Sequence, residues 1–144
     1  MIAPPSPALQ RPPPAALPPG VARVMICDDS VVIRGALTRM LEADPLVRVV
    51  ARAANGQAAL DELRRLAQAR QAVDVVVLDI EMPVMDGMTA LPLLLRADPG
   101  LRVIMASTLT TRGADIAMQA LRLGAADYVP KPSTQAINAD TFRR

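Results

Sequence analysis

Short runs of apolar residues alternate with longer amphipathic segments from Val21 onward. An apolar run of this length is typical of a strand in a buried parallel sheet, whereas an apolar face that repeats every three to four residues is typical of a helix. The predicted strands are Val21–Cys27, Val47–Ala53, Val73–Leu78, Leu101–Ala106 and Asp127–Val129. Five strands that alternate with helices predict an α/β fold, a doubly wound parallel sheet with helices on both faces.

The segments between the predicted strands carry helix signals. Ser30 is placed to cap the first helix, Gly56–Ala69 forms the second, and Gly124 is suited to end the fourth. The third, Asp86–Ala97, contains Pro92, which should kink the helix or remove one backbone hydrogen bond. The apolar faces are formed by Ile33, Leu37, Met40 and Leu41, by Leu60, Leu63 and Ala67, and by Ile116, Ala120 and Leu123.

The two ends of the chain differ from the rest. Residues 1–20 hold eight of the fourteen prolines and are expected to form an extended or disordered tail. A spacer is favoured there over a ligand for a proline-binding module. Residues 21–133 are predicted to be one domain. Residues 134–144 are either the start of a fifth helix or a linker to an output domain absent from this chain.

Composition excludes several kinds of chemistry. The chain has no histidine, so a Ser-His-Asp triad and histidine-ligated metals are excluded. Cys27 lies in an apolar run and is expected to be a buried, inert thiol. With Tyr128 and Phe142 as the only aromatics, the core must be aliphatic. The net charge of +2 does not argue for nucleic-acid binding, and the sequence shows neither a membrane-spanning run nor a secretory signal. The single cysteine cannot form an internal disulfide, so a reducing, cytoplasmic location is expected.

Polar side chains follow the predicted strands where ligands bind in open parallel sheets, beyond the carboxyl ends. They are Asp28 and Asp29 after the first strand, Asp79 after the third, Ser107 and Thr108 after the fourth, and Lys131 after the fifth. Three converging carboxylates repel one another, and a divalent cation with oxygen ligands, such as Mg²⁺, relieves that repulsion. A carboxylate beside Mg²⁺ is a suitable nucleophile toward phosphorus, with a lysine and a hydroxyl as further contacts to the phosphoryl oxygens.

Each of these residues also has an ordinary structural interpretation. Asp28 and Asp29 could cap a helix, and Asp79 could be structural. Ser107 and Thr108 could begin a helix, and Lys131 could be a solvated loop residue. Such explanations would have to hold independently at four strand ends. The phosphoryl-transfer hypothesis explains all of them together and is therefore preferred.

Three ordered motifs resemble the response-regulator receiver family: Asp28-Asp29-Ser30 with Arg34, the segment Leu78–Gly87, and Tyr128–Pro132. Asp79–Pro83, Ala106–Thr110 and Pro130–Ser133 are most similar to the receiver of chemotaxis protein-glutamate methylesterases (CheB). The resemblance implies a flavodoxin-like strand order of 2-1-3-4-5, with a fifth helix that is short or truncated. An esterase domain follows the receiver in that family, and a chain without histidine cannot supply its triad.

The resemblance also implies a role for each site residue. Asp79 would accept a phosphoryl group from a histidine kinase, and the resulting change would regulate an output domain or a chemotaxis partner. Mg²⁺ would be held directly by Asp29 and Asp79, through water by Asp28, and by the backbone carbonyl of Glu81. Around the phosphoryl group would lie Lys131, the switch hydroxyl of Ser107 (with Thr108 as second choice), the rotamer-switching Tyr128, and a cis bond before Pro132.

Other functions remain open at this point. The receiver could be autoinhibitory within a methylesterase, could act alone on a partner, or could belong to a DNA-binding regulator, which is least favoured because no helix-turn-helix is seen. A Mg²⁺-dependent phosphohydrolase would want a second aspartate where Glu81 stands. A domain that has lost phosphorylation is disfavoured because the acidic pair, Asp79 and Lys131 are all present. The surface expected to change on phosphorylation spans Arg112–Leu123 and Asp127–Val129.

Overall fold

The protein folds around a five-stranded parallel sheet with the strand order β2-β1-β3-β4-β5. The computed structural model describes residues 17–108 and 110–132. The strands are β1 (Ala22–Cys27), β2 (Val47–Ala53), β3 (Val75–Asp79), β4 (Arg102–Ser107) and β5 (Asp127–Pro130). The predicted fold class and strand order are therefore confirmed, and the helix that follows each of β1 to β4 carries the chain to the next strand.

The four helices within the described residues begin where a polar side chain caps the first turn. They are α1 (Val31–Glu42), α2 (Gly56–Gln68), α3 (Gly87–Ala97) and α4 (Thr111–Arg122). Their N-caps are Ser30, Asn55, Asp86 and Thr110, and each cap side chain accepts a backbone hydrogen bond from the residue three positions later. The predicted Ser30 cap is thus confirmed. Helix α3 continues through Pro92, which has no N–H to donate to the carbonyl four residues earlier.

Strands β3 and β4 both begin and end later in the chain than the sequence pattern predicts. Asp74 lies before β3, where its carboxylate accepts a hydrogen bond of 2.8 Å from the backbone N–H of Arg23. At the other end β3 includes Asp79, and β4 includes Ser107. The apolar run ends before the backbone ladder does, because each strand continues into a polar residue. Both polar side chains are therefore carried by the sheet itself.

The core lies on both faces of the sheet and is aliphatic. Leu78 of β3 and Met105 of β4 face α2 and α3, where they pack with Leu60, Leu91 and other buried residues. Val77 faces the opposite side, where Leu37 of α1 lies. This alternation along β3 is what a strand covered on both faces requires. No aromatic side chain is buried among the described residues, as composition predicts.

Two segments with predicted properties lie outside the described residues. They are most of the proline-rich tail (residues 1–16) and residues 133–144. The division into a tail, a receiver and a following linker therefore stays a prediction. Within the described part of the chain, no helix is both long and apolar enough to cross a membrane.

Gly87, the first residue of α3, lies directly against the backbone of Asp79. A Cβ atom at this position would overlap the Asp79 carbonyl oxygen and lie 3.0 Å from the Cα of Ile80. The Gly87 N–H also donates to the Ile80 carbonyl at 2.8 Å. Only glycine allows α3 to begin this close to the end of β3, so Gly87 helps to set the position of Asp79.

We expect Gly87→Ala to lower the free energy of unfolding by about 1–3 kcal/mol, because the added methyl group forces the end of β3 away from α3. Urea denaturation measures this loss. The matched control is Gly35→Ala in α1, where an added Cβ meets nothing within 4 Å. That substitution should raise the stability by about 0.5–1 kcal/mol. Equal effects of the two substitutions would contradict the close approach at Gly87.

Candidate functional site

Four strands place polar side chains at the carboxyl edge of the sheet. Asp28 directly follows β1, and its N–H donates to the Ala53 carbonyl of β2 at 3.0 Å. Asp79 and Ser107 are the last residues of β3 and β4, and Lys131 directly follows β5. Strand pairing and parallel direction thus bring together residues that are up to a hundred positions apart in the sequence.

Three carboxylates form a cluster at this edge. Oxygen atoms of Asp28, Asp29 and Asp79 lie within 4.8 Å of one another. Asp28 and Asp79 are buried, with 1% and 3% of their surface exposed, whereas Asp29 is open to solvent. The cluster therefore combines two carboxylates fixed within the protein with one at the surface, and it is accessible from one side.

Lys131 bridges the two buried carboxylates. Its Nζ atom lies 3.1 Å from Asp79 Oδ1 and 3.2 Å from Asp28 Oδ2. Its backbone N–H donates to the Ser107 carbonyl at 2.8 Å, so the end of β5 is tied to the end of β4. One cation set between two carboxylates offsets only part of their charge.

The remaining carboxylate oxygens show where a cation fits. Asp28 Oδ1 accepts a hydrogen bond of 2.9 Å from the Ser30 N–H. Asp79 Oδ2 is buried and accepts no hydrogen bond from the described residues. Asp28 Oδ2 is likewise without a hydrogen bond there, although it lies close to Lys131. Buried carboxylate oxygens are normally hydrogen-bonded or bound to a metal. An oxygen-only cluster with such unsatisfied atoms fits Mg²⁺.

The electrostatic environment shifts the pKa values of both partners in the ion pair. Burial, together with the charges of Asp28 and Asp29, raises the pKa of Asp79 from 3.8 to about 6, although Lys131 opposes the shift. Burial lowers the pKa of Lys131, but the two carboxylates outweigh it, so the pKa lies above its usual value. Near neutral pH, Lys131 is charged and Asp79 is largely ionised, which is the form a nucleophile requires.

A cleft of about 290 Å³ opens beside the carboxylate cluster. Its lining includes Asp29, Asp79, Glu81, Ser107, Thr108, Thr110, Arg112 and Lys131. Ser107 is buried, whereas Thr108 is exposed and its hydroxyl lies 3.2 Å from that of Thr110. The structure therefore brings the predicted residues Asp29, Asp79, Glu81, Ser107, Thr108 and Lys131 to one cleft, while Asp28 lies in the adjoining carboxylate cluster. Ser107 is the hydroxyl on the inner side of the cleft.

The structure differs from the prediction at two positions, Tyr128 and Pro132. Tyr128 lies on β5, is 40% exposed, and is not part of the lining of the cleft. The described residues, which include Lys131 and Pro132, contain no cis peptide bond, so the predicted cis bond before Pro132 is wrong for this structure. The trans form of such a bond is favoured by about 0.5–1 kcal/mol, and Lys131 reaches both carboxylates from trans backbone.

Several further residues shape the site, although the sequence pattern predicted no role for them. Arg34 donates from Nη1 to the Asp28 carbonyl at 2.6 Å and fixes the turn that carries the acidic pair. Thr110 and Arg112 line the cleft from the start of α4. A hydroxyl cap followed two residues later by a cation, directly after a strand that ends at the site, is the signal that could have identified this pair.

Cys27 lies below the carboxylate cluster and takes no part in it. It is fully buried, and its Sγ atom donates to the Asn55 carbonyl at 3.2 Å. Burial raises the pKa of the thiol to about 12, and the charges of Asp79 and Asp28 act in the same direction. The predicted burial of Cys27 is confirmed, and the raised pKa agrees with the expectation of an inert thiol.

Comparisons with known proteins identify the family. The Response regulator receiver domain model matches residues 24–139, and the chain therefore belongs to the response regulator receiver family. It is 60% identical over 124 residues to the protein-glutamate methylesterase/protein-glutamine glutaminase of group 2 operon of Rhodospirillum centenum, which covers 85% of this chain and 30% of that protein. The chain spans about a third of the length of the curated relatives it matches.

Solved structures agree with this assignment. The response regulator domain of Thermotoga maritima CheB matches with a TM-score of 0.69 and 35% identity, covering 85% of this chain and 92% of that one. A chain from the complex of the CheA3 P1 domain with CheY6 of R. sphaeroides matches with a TM-score of 0.63 and 40% identity, covering 85% and 94%. The resemblance seen in the sequence motifs is thus confirmed by fold as well.

Without metal, we expect Asp79→Asn to be more stable than the wild type at pH 7.5, because it removes a buried charge that burial and Asp28 disfavour. The raised pKa of Asp79 means that the folded chain holds this proton more tightly than the unfolded chain does. The stability that the protonated form contributes is therefore lost as the pH rises from about 4 through about 6.

Urea denaturation in EDTA between pH 4 and 8 measures this difference. The stability of the wild type relative to Asp79→Asn should fall up to about pH 6 and then stay constant. Asp115→Asn, on the exposed side of α4 and away from the cleft, is the control. A wild-type advantage at high pH would show that the buried carboxylate is stabilised rather than strained.

Proposed function

We propose that this domain is a phosphorylation-controlled signalling switch in which Asp79 accepts the phosphoryl group beside a bound Mg²⁺. The observation that supports it most is the buried carboxylate of Asp79: its Oδ1 lies 3.1 Å from Lys131, its Oδ2 accepts no hydrogen bond from the described residues, and it faces a cleft that Ser107 also lines. Family membership supports the same function. A buried structural carboxylate would normally have all its oxygens satisfied.

The chemistry follows from the residues around Asp79. A carboxylate oxygen of Asp79 forms a bond to phosphorus while the bond from phosphorus to the donor's leaving atom breaks and its electron pair goes with that atom. Lys131 and Ser107 supply a positive charge and a hydrogen bond to the phosphoryl oxygens. Mg²⁺, when bound, supplies the further positive charge that three carboxylates and a phosphoryl group require. Its proposed ligands are Asp29 and Asp79, Asp28 through water, and the Glu81 carbonyl.

The proposed phosphodonor is a histidine kinase of the same cytoplasmic signalling system. This chain resembles a chain of the solved complex between a CheA3 P1 domain and CheY6. That resemblance supports a histidine kinase as the donor. Val31 and Val32 directly follow the acidic turn and are 72% and 56% exposed, and Val84 in the loop after β3 is 84% exposed. Exposed apolar side chains next to a charged cleft are suited to docking a protein donor.

The proposed output is a methylesterase-type domain or another chemotaxis partner. The curated relatives are protein-glutamate methylesterases/protein-glutamine glutaminases about three times the length of this chain. This chain has no histidine for a catalytic triad, so the activity would belong to a longer parent protein. The switch would run from Ser107 and Lys131, which share a backbone hydrogen bond, to α4 and the exposed Tyr128 of β5.

Incubation with acetyl phosphate and Mg²⁺ should add one phosphate to each chain, because Asp79 is a largely ionised nucleophile near neutral pH. Intact-mass spectrometry measures the gain. It should be absent in EDTA and in Asp79→Asn. Asp86→Asn serves as the matched control, since Asp86 follows in the same loop but is used to cap α3. A gain that persists in Asp79→Asn, or continuous turnover of acetyl phosphate without a phosphorylated chain, would contradict the proposal.

Ser107→Ala should still be phosphorylated but should no longer transmit the change to α4 and β5. A hydrogen bond to a charged group contributes about 1.5–3 kcal/mol. Its loss should reduce the equilibrium constant between switched and unswitched states about tenfold or more. Amide chemical shifts of α4 and β5 in the phosphorylated protein measure this population. The control is Thr108→Ala, which removes the exposed neighbouring hydroxyl. If Thr108→Ala rather than Ser107→Ala removes the distant shifts, Thr108 is the switch residue.

A further inference from the structure

Arg112 lies at the rim of the phosphoacceptor cleft. It is the second residue of α4, is exposed, and lines the same cleft as Asp79 and Lys131. The first turn of α4 contains no acidic residue. The positive end of the helix dipole and the guanidinium group therefore add to each other on the same side of the cleft.

The start of α4 is held closely against the loop that leaves β4. A Cβ atom at Gly113 would lie 2.7 Å from the Thr108 carbonyl oxygen and 3.0 Å from its hydroxyl oxygen. The backbone N–H of Gly113 donates to the capping hydroxyl of Thr110 at 2.9 Å. These contacts fix the backbone of the turn that carries Arg112.

The charges around the cleft show what Arg112 adds. Four acidic residues (Asp28, Asp29, Asp79 and Glu81) lie at the cluster and the cleft, together with Lys131 and Arg112, and Arg34 donates to the carbonyl of Asp28. The site therefore carries one net negative charge, and with Mg²⁺ bound it would carry one net positive charge. Without Arg112 this net attraction for an anionic donor would be lost.

We infer that Arg112 recognises the dianionic phosphodonor, contacting its phosphoryl oxygens as it enters the cleft. Lys131 is already committed to Asp28 and Asp79 through distances of 3.2 and 3.1 Å, whereas Arg112 reaches the cleft from its outer side. A guanidinium group suits this role because it donates two parallel hydrogen bonds to phosphoryl oxygens and keeps its charge at all relevant pH values. The inference rests on the proposed function of Asp79 and names a specificity residue for it.

The role of Arg112 does not change the chemistry of phosphoryl transfer to Asp79. With acetyl phosphate, a bond forms from Asp79 to phosphorus, the bond from phosphorus to the acetyl oxygen breaks, and acetate leaves with the electron pair. Arg112 neither gains nor loses a proton. Its contribution is to the approach and orientation of the dianion.

The test compares Arg112→Ala with Arg122→Ala in the last turn of the same helix, about 15 Å farther along the axis. With acetyl phosphate below saturation, Arg112→Ala should be phosphorylated about tenfold more slowly, and its rate should depend less on ionic strength. Arg112→Lys should recover much of the rate because the charge is restored. Arg122→Ala should react like the wild type.

Binding of Mg²⁺ alone, measured by calorimetry, provides a second readout. Arg112→Ala should bind Mg²⁺ about two- to fivefold more tightly, because a positive charge is removed from the cleft. Weaker Mg²⁺ binding together with slower phosphorylation would mean that the rate is lost through a damaged site and not through a missing contact between Arg112 and the donor.

Equal phosphorylation rates for Arg112→Ala and Arg122→Ala, in a protein that is phosphorylated on Asp79, would overturn the role of Arg112 alone. So would weaker Mg²⁺ binding by Arg112→Ala. A wild-type chain that binds Mg²⁺ but gains no phosphate would overturn the proposed function and this inference with it.

Discussion

The site depends on the contact between one lysine and two buried carboxylates. Removing a carboxylate from water costs several kcal/mol unless it is paired or hydrogen-bonded, and here Asp28 and Asp79 are buried side by side. Lys131 reaches both through distances of 3.1 and 3.2 Å, which makes the arrangement tolerable without neutralising it. The uncompensated negative charge that remains is a feature that favours a divalent cation and, with it, a phosphoryl group.

The fold supports this arrangement by joining the residues of the site through the backbone. Lys131 is hydrogen-bonded to Ser107 through its N–H, and α3 begins against the Asp79 carbonyl because Gly87 has no side chain. These contacts connect the surroundings of Asp79 directly to β4, β5 and the start of α3. Two neighbouring arrangements of a packed edge are what a switch of this type requires.

The fold and most of the site could be predicted from the sequence because each depends on local signals. Apolar runs separated by amphipathic segments indicate a parallel sheet, and its topology brings Asp28, Asp79 and Lys131 to one edge. Strands β3 and β4 end one residue later than predicted, because Asp79 and Ser107 continue the backbone hydrogen bonding of the sheet although their side chains are polar. The bond before Pro132 and the contribution of Arg112 could not be derived, because both depend on tertiary geometry that the residue types alone do not specify.

The scarcity of aromatic residues has an experimental consequence. Tyr128 is the only tyrosine in a chain without tryptophan, and it lies half-open to solvent on β5, next to Met105 of β4. Tyrosine emission from this protein therefore arises from a single place, the edge strand that follows the cleft. The chain carries its own optical probe of that edge, and events at the sheet's carboxyl end are observable without a label or an introduced tryptophan.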